Sequence, residues 1–101
     1  MRRNNPDKAE EALTRALAFH TQAQSTLGQA NDLQRLGNLH MQRDNLDRAE
    51  EAFTRALELH TQVQNALGQT YDLQRLGDLY MQTDNLDKAE EAFTRVLELH
   101  T

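Results

Sequence analysis

His20, His60 and His100 share one register of a repeating sequence, and His40 is a fourth imidazole at another register. Imidazoles can bind metals or move protons, but a metal site needs an i,i+4 His pair or a carboxylate at metal-motif spacing, and neither occurs. The pairs Glu10-Glu11, Glu50-Glu51 and Glu90-Glu91 could suggest acid–base chemistry. Neighbours on a helix point about 100° apart, however, so these carboxylates do not converge on one substrate atom. Ser25 is the only serine, so no Ser/His/Asp set assembles. The four glycines are isolated and lack the Lys-Ser/Thr context of a phosphate loop. No catalytic residue, cofactor site or metal site is expected, and the chain does not read as an enzyme.

These residues sit on a repeated framework. Stretches 9–48 and 49–88 are two gapless copies of one unit, identical at 28 positions. A third copy, 89–101, matches 49–61 at 12 of 13 positions, with Val96 in place of Ala56. Each unit holds two helical patterns. One starts near Pro6, Leu46 and Leu86, with Asn5, Asn45 and Asn85 as N-caps and Asp7, Asp47 and Asp87 in the first turn. Pro6 suits a first helical position. Ala49, Ala52, Phe53, Ala56, Leu57 and Leu59 recur at helical spacing. Glu11–Arg15, Glu51–Arg55 and Glu91–Arg95 are spaced as i,i+4 pairs. Gly28 and Gly68 follow the last apolar residue and read as C-caps, which makes this the longer helix.

The shorter helix is then expected from Gln29 to Gln42 and from Gln69 to Gln82, with Leu33, Leu36, Leu39 and His40 on its buried face. Gly37 and Gly77 lie inside it at a cost of about 1 kcal/mol relative to Ala, which predicts a close helix–helix approach. Asp44-Asn45 and Asp84-Asn85 break the chain before the next long helix. The fold class is all-α, with five helices. Recurrent Gly and Asp-Asn interruptions exclude a sustained heptad, so antiparallel pairs fit better than a long coiled coil.

Composition narrows the function classes. Sixteen acidic and 11 basic residues give a charge of −5, which disfavours phosphate-backbone binding, so no nucleic-acid partner is expected. No apolar run approaches the roughly 20 residues that span a bilayer, and no membrane role is expected. The chain has no Cys and no secretory leader pattern, so a cytoplasmic address is expected.

Leu33, Leu36-Gly37, His40, Ala49, Phe53 and Ala56, repeated as Leu73, Leu76-Gly77, Tyr80, Ala89 and Phe93, resemble the tetratricopeptide repeat (TPR) pattern. Leu33 and Leu73 stand where that family usually has Trp, and Thr61 stands in place of its closing Pro. The period, from Ala9 to Ala49 to Ala89, is similar to that of the family's long-repeat variant. The resemblance implies a TPR-like solenoid, a right-handed superhelix of about two and a half repeats. One array would fill 1–101: a partial repeat at 1–28, a full repeat at 29–68 and a truncated one at 69–101. It also implies a concave groove lined by the shorter helices. The groove positions would be Asn31, Gln34, Arg35, Asn38, Met41 and Gln42, then Tyr71, Gln74, Arg75, Asp78, Met81 and Gln82. A two-carboxylate clamp would need Lys at 34 and 74, where Gln stands. The resulting amide-rich groove suits a peptide or partner segment, because each amide offers a donor and an acceptor.

The ends favour a second expectation. Leu97 and Leu99 at one end, and Leu13 and Phe19 at the other, are expected to lose part of their cover. The chain then reads as a piece of a longer or engineered array that forms homo-oligomers, as a dimer, by end-to-end stacking or by helix exchange.

Overall fold

The computed structural model describes residues 6–100. They form α1 (Pro6–Gln22), α2 (Thr26–Gln42), α3 (Leu46–Gln62), α4 (Ala66–Gln82) and α5 (Leu86–Leu99). No strand occurs among the described residues. The expected starts at Pro6, Leu46 and Leu86 hold. The alternation of long and short helices does not, because α1 to α4 each have 17 residues. Gly28 and Gly68 are not C-caps. They lie in the first turn of α2 and α4, which begin at Thr26 and Ala66 instead of the expected Gln29 and Gln69.

The reason is local. Ser25 and Asn65 adopt extended backbone, and their side-chain oxygens accept from the Gly28 and Gly68 N–H at 3.1 and 2.9 Å. These are the true N-caps of α2 and α4. Asn85 caps α5 by accepting from the Lys88 N–H at 3.4 Å, whereas Asn45 makes no side-chain cap bond. The expected cap at Asn5 lies outside the described residues. Each of the first four helices closes on a left-handed residue that is not glycine: Gln24, Asp44, Gln64 and Asp84, at φ 57–62°. After Gln64, for example, the Asn65 N–H returns to the His60 carbonyl at 2.9 Å, the 6→1 bond of a Schellman turn.

Short links force each helix to fold back on its predecessor. The molecule measures 42 × 32 × 19 Å, and the short dimension is about two helix diameters. Its central core joins Ala49, Phe53 and Leu57 of α3 to Leu73, Leu76 and Leu79 of α4 and Ala92 of α5. Leu33 and Leu36 of α2 are also buried. Gly37 and Gly77 serve the expected close approach. A Cβ on Gly37 would stand 2.7 Å from the Phe53 ring, and one on Gly77 would stand 2.5 Å from Phe93.

Burial is uneven along the array. α3 buries Ala49, Ala52, Phe53, Ala56, Leu57 and His60. α1 has no buried residue among those whose side chains are described. The expected i,i+4 pairs of Glu51 with Arg55 and Glu91 with Arg95 are not among the ion pairs of the described residues. All four side chains are exposed, where fixing two long chains gains little. The ion pairs tie helices or successive turns instead. Arg43 donates to Glu10 at 2.7 Å, Arg48 lies 3.9 Å from Glu10, and Arg75 lies 3.5 Å from Asp78.

Candidate interaction surface

α2 and α4 lie side by side on one face of the array and touch directly. Their seam is polar. Gln34 Nε2 of α2 donates to Asp72 Oδ1 of α4 at 3.0 Å, and Asn38 Nδ2 donates to the Tyr71 hydroxyl at 2.7 Å. Arg75 reaches Met41 Sδ at 3.2 Å, and its guanidinium lies over the Phe53 ring at 5.9 Å. On a helix, residues three or four positions apart share a face. Positions 31, 34, 38 and 41 therefore form one stripe of α2, of which Gln34, Asn38 and Met41 reach α4.

The two copies of the expected groove have different surroundings. Asn31, Gln34, Asn38 and Met41 are half-buried in the seam, while Arg35 and Gln42 are exposed. In the second copy, Arg75 is half-buried, and Tyr71, Gln74, Asp78, Met81 and Gln82 are exposed. The structure brings Asn38 to Tyr71 and Met41 to Arg75, and leaves Gln74, Met81 and Gln82 open along α4. The accessible part of the surface thus belongs mainly to α4. It offers an amide, a carboxylate, an aromatic ring and a flexible thioether.

Beneath this surface lies a feature that sequence reading missed. His60 Nδ1 stands 2.6 Å from Asp72 Oδ2, with both side chains fully buried, and its Nε2 faces Asn31 Oδ1 at 3.2 Å. One imidazole thereby joins α3 to both α2 and α4. Burial pushes the Asp72 carboxyl up, and the hydrogen bonds from Gln34 and His60 oppose that shift. His20 Nδ1 repeats the contact with Asp32 Oδ2, also at 2.6 Å. Gly28 and Gly68 are the floors of these two sites, since a Cβ on either would strike the His20 or His60 ring. The available signal was the recurrence of one His-to-Asp spacing, His20 with Asp32 and His60 with Asp72, across a helix boundary. No adjacent-residue or metal spacing rule asks about such a separation.

A second polar cluster ties α1 to the C-terminal end of α2, where Arg43 donates to Glu10. Glu10 is held below its ordinary value by the Arg43 hydrogen bond, and burial pulls nearby His40 down. One repeat later, Tyr80 donates to Glu50 Oε2 at 2.7 Å. Burial, followed by that carboxylate, pushes the Tyr80 hydroxyl up to about 12. Among the described residues, no group of three or more His, Asp or Glu side chains could hold a metal ion. No described helix is long and apolar enough to cross a membrane.

The family profile described as tetratricopeptide repeat matches residues 29–101. No curated protein and no solved structure matches the chain.

Proposed function

We propose, for a chain that belongs to the tetratricopeptide repeat family, that it binds a partner segment along the α2–α4 face. Repeats of this family are non-catalytic scaffolds that mediate protein–protein interactions. The finer reading is that a peptide lies across Asn31, Gln34, Arg35 and Asn38 and the exposed row Tyr71, Gln74, Asp78 and Met81. One observation carries it: four exposed side chains of different chemistry stand in one row on α4, beside a seam whose own polar groups are largely paired. Tyr71 supplies a rigid ring and Met81 an adaptable thioether, while Gln74 pairs with peptide backbone. With Gln rather than Lys at 34 and 74, recognition does not require a free terminal carboxylate.

The test is a peptide-array screen, followed by fluorescence anisotropy on the best binders. A variant carrying Tyr71→Ala, Gln74→Ala and Met81→Ala should weaken binding by about tenfold or more, the scale of a hot-spot loss. Amidated and free-acid peptides should bind alike. Unchanged affinity in the triple variant would overturn the reading.

A further inference from the structure

α2 and α4 meet along their polar seam, but the helices that flank them stay apart. Among the described helices, the backbone of α1 does not approach that of α3, nor does that of α3 approach α5. Each gap leaves a cleft. Between α1 and α3, Leu17, Leu33 and Leu36 line a space of about 180 Å³ that Arg48, Glu51 and Arg55 also border. Between α3 and α5, Leu57, Leu73 and Leu76 line a space of about 210 Å³ that Lys88, Glu91 and Arg95 also border. Each position of the second cleft is the matching position of the first, one repeat later, so the repeat builds this feature twice.

These clefts are distinct from the α2–α4 surface. On a helix turning about 100° per residue, Leu33 and Leu36 lie nearly opposite Asn31, Gln34 and Asn38. In α4, Leu73 and Leu76 likewise lie nearly opposite Tyr71, Gln74 and Asp78.

Size and charge describe the occupant. Each space is smaller than the roughly 300–1,000 Å³ typical of small-molecule pockets, and suits a single bulky apolar side chain. The charged border is net basic in a chain of net charge −5, with two cations against one carboxylate in each cleft. Arg48 lies 3.9 Å from Glu10, and Lys88 lies over the Tyr80 ring at 5.5 Å. Arg55 and Arg95 are exposed and have no ion-pair partner among the described residues. A free guanidinium beside an apolar wall suits a carboxylate that neighbours an apolar side chain.

We infer that each cleft receives a leucine-like side chain from an acidic peptide segment, with a flanking carboxylate paired to Arg55 or Arg95. A basic segment of the same shape is repelled by those arginines. One chain takes two such segments, one per cleft. The inference does not rest on peptide binding to the α2–α4 face.

The test is amide-resolved NMR of the 101-residue chain, titrated with the end-capped pentapeptide Asp-Asp-Leu-Asp-Asp. Amides around Leu33, Leu36 and Arg55 should shift, and so should those around Leu73, Leu76 and Arg95. Arg55→Glu should weaken binding at the first cleft by about fivefold or more and leave the second unchanged. Arg95→Glu should do the reverse, so the untouched cleft of each variant reports that the chain is still folded. Control peptides with Lys in place of Asp, or Ala in place of Leu, should shift neither set. The inference would be overturned by no shift with the acidic peptide, by shifts confined to Tyr71, Gln74 and Met81, by equal binding of either control, or by clefts indifferent to both charge reversals.

Discussion

His20 and His60 are one repeat position with one partner distance, 2.6 Å to an aspartate on the following helix, yet the two sites differ in cover. The His60 side chain is fully buried and the His20 side chain is 32% exposed. The difference lies in the neighbours. α3 is packed between α2 and α4, whereas α1 packs on α2 alone among the described helices. In a linear array each unit is stabilised chiefly by the units beside it, so identical residues contribute unequally by position.

Removing the aspartates breaks this comparison most severely. Asp72→Ala leaves His60 buried without its partner and should cost about 3–5 kcal/mol in urea unfolding. Asp32→Ala exposes an imidazole already open to water and should cost about 1 kcal/mol. Equal losses would mean that cover does not matter. The glycine floors come next. Gly68→Ala drives a methyl into an enclosed ring and should cost about 1–3 kcal/mol, after the helix-propensity gain is counted. Gly28→Ala should cost less, because His20 can swing outward. Thermal melts of the two variants decide this.

Acid sharpens the comparison through opposite signs. Glu10 is lowered by Arg43, so its contribution is present above the ordinary value of 4.5 and fades as pH falls through its lower folded value. Asp72 is raised by burial, so its contribution is present below 3.8 and is lost as pH rises through its raised folded value. Acidification therefore loosens α1 while it relieves the α3–α4 site. Pepsin at low pH should cut first near Leu17 and Phe19, and later within α3. The smallest effect is at the turns. Gln64→Gly and Gln24→Gly remove left-handed strain at φ 57° and 58°, and each should gain about 0.5 kcal/mol in urea unfolding.

Much of the fold was legible because its signals are local. Pro6 at a first helical position, and Asp47 and Asp87 just inside α3 and α5, marked three helix starts. Gly37 and Gly77 announced close packing because glycine inside a helix needs a reason, and Phe53 and Phe93 are that reason. Gly28 and Gly68 misled because glycine near the end of an apolar run has two readings. The cue that separates them is the upstream Ser25 or Asn65, which bonds the glycine N–H itself. Asp44 and Asp84 were legible as breaks, whereas the left-handed Gln24 and Gln64 were invisible, because glutamine there holds a place that propensity gives to glycine, asparagine or aspartate. The α2–α4 surface was legible as a stripe of positions. Which members of the stripe pair with each other, and which stay open, depends on how one repeat is rotated on the next. No residue of a single repeat encodes that rotation alone.

Site-resolved amide hydrogen exchange on the intact chain tests most directly whether cover by neighbours orders the stability of the repeats. Protection should be highest in α3 and α4 and fall toward α1 and α5. Uniform protection across all five helices, or a maximum in α1, would contradict it.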